Sequence, residues 1–107
     1  MLAKKYKLNI GEFIKKRPTH VRKGPFFAIK TMTNGLSYDR FGVVVGKKVN
    51  KRATRRNKIK RMFYEAIRHQ LKQGGVGIDV MVQIYPEIDQ YSIEKTKEVI
   101  KEFNFVT

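Results

Sequence analysis

The chain has 107 residues, a formal charge of +15 and no cysteine. Residues 1–107 are therefore expected to form a single domain with a modest core, without a disulfide framework or a thiolate metal site. The longest apolar runs are far short of a membrane span, and the opening MLAKKYKLNIGEF lacks the apolar core of a secretory signal, so a cytoplasmic protein is expected.

The charge is unevenly placed. Residues 1–61 hold 19 Lys and Arg against Glu12 and Asp39, a net of +17, whereas residues 62–107 hold five against seven acids, a net of −2. Such asymmetry predicts a directional basic surface, and a polyanion is its natural partner.

Residues 1–8 are basic. Asn9 is a candidate cap for a short helix with Ile10, Phe13 and Ile14 on one face, ended by Pro18. A helix this short must lie against something. Residues 19–24 suit a short edge strand. Residues 26–32 read as a strand with Phe27, Ile29 and Thr31 on one face and Phe26, Ala28, Lys30 and Met32 on the other. Asn34-Gly35 is a turn signal. Residues 40–46 follow as a strand apolar on both faces, expected to be central and to pair antiparallel with the strand before it.

A long helix is predicted from Ala53 or Thr54, with Thr54 as a candidate cap, to Gly74-Gly75. Residues 78–85 make a fourth strand stopped by Pro86. Ser92 opens a last helix with Ile93, Val99, Ile100 and Phe103 as its apolar positions. The order is α-β-β-β-α-β-α, an α+β arrangement.

The run from Lys47 to Arg61 carries nine Lys and Arg and no acid. An apolar helical face begins inside it at Ile59 and continues through Met62, Phe63, Ala66, Ile67 and Leu71. Extended backwards at about 100° per residue, that face meets Arg52, Arg55 and Arg56. Burying those groups without partners is very unfavourable. The helix is therefore expected to begin off the sheet, with its first turns overhanging in water. Cations near a helix N-terminus are unfavourable by roughly 0.3–1 kcal/mol each, and a phosphodiester there would reverse that balance. The bland reading of such a run is a solvated face. The missing acids and the core-side arginines argue against it.

Arg56-Asn57-Lys58-Ile59-Lys60-Arg61, preceded by Lys47-Lys48 and Ala53, resembles the signature of the bacterial ribonuclease P protein subunit. That family carries Arg-Asn-Arg-x-Lys-Arg at the start of its long helix. Lys58 departs from the pattern, keeping the charge and losing bidentate geometry. Glu12-Phe13 matches the acidic–phenylalanine pair of the family's first helix. The resemblance covers almost the whole chain and implies a four-stranded mixed sheet in a single layer, with a left-handed β-α-β crossover through the long helix. Such crossovers are rare, and nothing in this sequence alone predicts the hand.

The resemblance also implies a function. The protein is expected to be an accessory subunit, while a large catalytic RNA removes the 5′ leader of precursor tRNA with magnesium ions held mainly by the RNA. It implies catalytic-RNA contacts at Arg52, Arg55, Arg56, Asn57, Lys58, Lys60 and Arg61, flanked by Lys47, Lys48 and Lys51. Asn57 has two readings, a hydrogen bond to RNA or a brace for the helix start. It implies a leader cleft at Phe13, with Phe26 and Lys30 on one strand face of the same groove. Phe13 also has two readings, a stacking platform for an unpaired base or a core residue. The family often has aromatics at the positions of Lys30 and Arg17, so this cleft is expected to use more charge and less stacking. Tyr85 and Tyr91 are further candidates for the cleft or for a core edge.

Three other classes compete. A self-sufficient nuclease needs a carboxylate cluster or a histidine pair, but His20 and His69 lie on different elements and the acids are scattered. Composition does not exclude a structural RNA-binding protein, such as a small ribosomal protein; only the residue-level match argues against it. A DNA reader would carry base-reading residues along one helix face, whereas here the charge sits at one end.

Overall fold

The computed structural model describes residues 6–18, 20–70, 77–103 and 105. The elements are α1 (Ile10–Ile14), β1 (His20–Lys23), β2 (Phe27–Thr33), β3 (Arg40–Val44), α2 (Ala53–Gln70), β4 (Ile78–Ile84), a 3-10 turn over Pro86–Gln90, and α3 (Ile93–Glu102). The predicted end of the long helix at Gly74-Gly75, and Leu71 with it, lies outside the described residues. Both short-range caps are formed. Asn9 Oδ1 accepts from the Glu12 amide at 3.2 Å and Ser92 Oγ accepts from the Lys95 amide at 3.1 Å.

The four strands form one mixed sheet in the order β1-β2-β4-β3. β1 pairs antiparallel with β2, β2 antiparallel with β4, and β3 parallel with β4. This corrects the expected β2–β3 pairing, because β4 lies between them. The loop over residues 34–39 is built to admit it. The Asn34 amide donates to the Gly77 carbonyl at 2.9 Å, and Asp39 Oδ1 accepts from the amides of Gly77 and Ile78 at 2.9 and 2.8 Å. The loop thus grips the start of β4 and carries the chain across it. Gly77 has φ +83°, and a Cβ there would run into the Leu36 carbonyl oxygen, so the grip requires glycine.

β3 is correspondingly at the sheet edge and not central. Its apolar character has another cause: both of its faces are covered. Phe41 and Val43 pack on the α2 side. On the other side Ile10 sits where a Gly42 side chain would be, and Val44 packs against the cluster around Phe13. The open edge is also satisfied. The Leu8 amide donates to the Phe41 carbonyl at 2.8 Å, and the Val43 amide donates to the Tyr64 hydroxyl at 3.1 Å. An edge with its polar groups occupied offers little template for stray strand pairing.

Two apolar clusters lie on opposite faces of the sheet. The larger one joins Phe27, Ile29, Phe41 and Val82 to Ile59, Phe63 and Ile67 of α2 and Ile100 of α3. The smaller one is Phe13, Met32 and Met81, with Leu8, Ile10 and Val44 at its margin. α1 has one turn and buries one side chain, Phe13. Ile14 points out at 67% exposure, contrary to the expected three-residue face. Gln70 fixes the C-terminal segment against α2. Its Nε2 donates to the Phe103 carbonyl at 2.6 Å and its Oε1 accepts from the Phe105 amide at 2.8 Å.

Candidate nucleic-acid interface

The basic run approaches α2 through residues 47–52. Lys47, Lys48, Lys51 and Arg52 are exposed, and Val49 is buried as the anchor of this approach. Asn50 Oδ1 accepts from the Arg52 amide at 2.9 Å, organising the entry to the helix. α2 then starts at Ala53, so Thr54 falls inside the first turn and is not its cap. Lys58 and Arg61 are exposed, while Arg55, Arg56 and Lys60 are half-buried. Within α2, burial begins at Ile59. The first six residues of α2 thus stand clear of the core, as the arginines on the core side require.

The two half-buried arginines of that first stretch are treated differently. Arg56 Nη1 donates to the carbonyls of Asn50 and Lys51, each at 2.9 Å, and so ties the approach segment to the helix. Arg55 Nη2 lies 3.8 Å from Asp89 in the 3-10 turn. Among the described residues, Asp89 is the one carboxylate within ion-pair distance of the run. At 3.8 Å the pair lacks hydrogen-bond geometry, and a partly solvated pair without it contributes little. The positive field at the helix start is therefore largely uncompensated. Asn57 is exposed.

On the opposite sheet face, β1 and β2 leave a strip beside α1 uncovered. The register aligns Val21 with Lys30, Lys23 with Ala28, and Ala28 with Gln83, which puts Val21, Lys23, Lys30 and Gln83 on one face. Val21 is 51% exposed and Lys23 is exposed, while Lys30 and Gln83 are half-buried. Arg17 is exposed just beyond α1. Lys23 is a cation on this face that sequence reasoning missed. Strand alternation would have found it once the β1–β2 register was known.

Two aromatic expectations change. Phe26 does not share a face with Lys30. It precedes β2, breaks the alternation, and is fully buried in the large cluster, 5.0 Å from the Tyr91 ring and 6.4 Å from that of Phe63. It cannot line the strip. Phe13 is 3% exposed against Met32 and Met81, which favours its core reading. Tyr91 belongs to the margin of the large cluster. His69 is a surface side chain, 3.8 Å from Glu65.

The α+β fold with its four-stranded mixed sheet is shared by solved RNase P proteins. A mutant of the Staphylococcus aureus RNase P protein with defective mRNA degradation activity superposes with a TM-score of 0.76 over 92% of this chain and 84% of that one, at 22% identity. The RNase P protein of Thermotoga maritima superposes with a TM-score of 0.66 over 91% and 96% of the two chains, at 25% identity.

Residues 10–104 match the family model described as Ribonuclease P, and the chain belongs to that family. It is 48% identical over 62 residues to the Ribonuclease P protein component of Chromobacterium violaceum. That stretch covers 58% of this chain and 50% of the relative, so the match spans about half the relative's length.

Proposed function

We propose that this chain is the protein subunit of a ribonuclease P ribonucleoprotein, seated on the catalytic RNA through the start of α2 and assisting removal of the 5′ leader from precursor tRNA. The observation that carries this is the helix start: nine cations over residues 47–61, with Asp89 as the one carboxylate within ion-pair distance of them among the described residues. Phosphate groups there would complement both the side chains and the helix dipole.

The leader is assigned to the strip beside α1, with Lys30, Lys23 and Arg17 as the phosphate-facing cations. Phe13 serves it indirectly, by holding α1 on the sheet. No group of three or more His, Asp or Glu among the described residues could hold a metal ion. The proposal assigns the magnesium ions to the RNA.

The test is reconstitution. Adding the chain to a catalytic ribonuclease P RNA in low magnesium should restore cleavage of precursor tRNA. Tight binding to that RNA with no gain in cleavage would reduce the chain to a structural RNA-binding protein.

A further inference from the structure

α2 and α3 do not close on each other along their outer sides. Between them runs a groove of about 730 Å³, a size typical of ligand sites. Its apolar lining is Met62 and Ala66 of α2 and Ile100 of α3, with Lys58 and Arg61 on one rim and Lys97 and Lys101 on the other. Ala66 is small where larger residues would fill the space. Gln70, clamped to Phe103 and Phe105, holds the two helices at this separation.

We infer that this groove is a second RNA-binding surface, taking an unpaired stretch of the same RNA with a base against Met62 and Ala66 and phosphates on the lysine and arginine rims. The inference rests on the function proposed above and extends it to α3. Three observations favour RNA. First, Lys58 and Arg61 belong both to the groove and to the basic run, so the cationic surface of the helix start continues into the groove. Second, the one acid on the rim among the described residues, Glu65, is already engaged: Arg68 donates to it at 2.9 Å and holds its carboxyl below the ordinary carboxylate value. Third, the apolar floor is short. Met62 and Ala66 are four residues apart, about 6 Å along the axis. A peptide helix in a groove uses anchors at i, i+3 or i+4 and i+7, a longer stripe than this floor supplies. A single base needs only one apolar face, and the polarisable Met62 sulfur suits an aromatic ring.

The experiment uses the full chain and a catalytic ribonuclease P RNA. Lys97→Ala with Lys101→Ala should weaken binding severalfold and lower the slope of log affinity against log salt by about 0.7 for each single-strand phosphate no longer neutralised. Lys95→Ala removes a charge from the same helix outside the groove and should leave the slope unchanged. Ala66→Leu fills the floor without altering charge. It should weaken binding with the slope retained and the urea midpoint near that of the parent. The chain has no cysteine, so Lys101→Cys gives a unique attachment point for a photocrosslinker, expected to mark one unpaired segment of the RNA.

The groove assignment is overturned if Lys97→Ala with Lys101→Ala behaves like Lys95→Ala while Arg52→Ala with Lys60→Ala still lowers the slope; the helix-start reading then survives alone. If neither pair lowers it, docking itself fails and the groove falls with it. Crosslinking at position 101 to an added acidic amphipathic peptide, with none to RNA, also overturns it.

Discussion

At Arg56 one guanidinium nitrogen is committed to the fold. Nη1 of this half-buried side chain bridges the carbonyls of Asn50 and Lys51. Arg56→Lys keeps the charge but not the longer, planar head group that sets Nη1 between two carbonyls. Faster amide exchange at residues 50–56 is expected, with the salt slope of RNA binding retained. Asp79 is the counterpart on the other sheet face. Its carboxylate accepts from Arg40 Nε and Nη2, each at 2.8 Å, and from Asn34 Nδ2 at 2.9 Å. Those bonds hold the Arg40 guanidinium pKa above its ordinary value. Asp79→Ala leaves three donors without their acceptor. A loss of about 2–3 kcal/mol is expected, near the value of one strong charged hydrogen bond because Arg40 is partly solvated. Urea denaturation measures it.

Among the elements, α1 is the most weakly held. It has five residues, one cap and one buried side chain. Phe13→Ala removes that anchor and should destabilise the protein by about 3–5 kcal/mol, as aromatic truncations in cores do. Equal losses of affinity for leader-bearing and mature tRNA would show Phe13 acting only through the fold. A selective loss for the leader-bearing form would restore it as a direct contact. α2 divides differently: its C-terminal two-thirds pack through Ile59, Phe63 and Ile67, and its first turns carry charge clear of the core. The packed part can hold the charged part in place because a helix is stiff over this length. Repulsion among the cations is thus offset by burial further along the same helix.

Across the whole molecule, the charge is uneven along the chain while the core draws on both halves. The basic first half supplies the helix start and the β1–β2 strip, on opposite sides of the sheet. The nearly neutral second half supplies β4, one of the two central strands, and α3. Binding to a catalytic RNA should therefore be strongly salt-dependent. Arg52→Ala with Lys60→Ala should lower the slope of log affinity against log salt by about 1–2, as expected when one or two phosphates are no longer neutralised. An unchanged slope would place the RNA elsewhere.

Local chemistry sufficed for the elements themselves. Asn9 and Ser92 announce their helices, Pro86 ends β4, and the apolar period through Ile59, Met62, Phe63 and Ile67 defines the buried side of α2. The overhanging helix start was legible too, because arginines on a core-facing line exclude close packing there. Strand order was not. Two apolar faces on residues 40–44 look alike whether a strand is central or is an edge covered by α1 and α2. Only the grip of Asn34 and Asp39 on the start of β4 decides which neighbour it has. Phe26 went wrong for a related reason, since alternation holds only inside a strand and Phe26 lies just before one. The groove between α2 and α3 depends on how two helices far apart in the chain are set side by side. Residue spacing within either helix carries no information about that distance, and packing alone sets it.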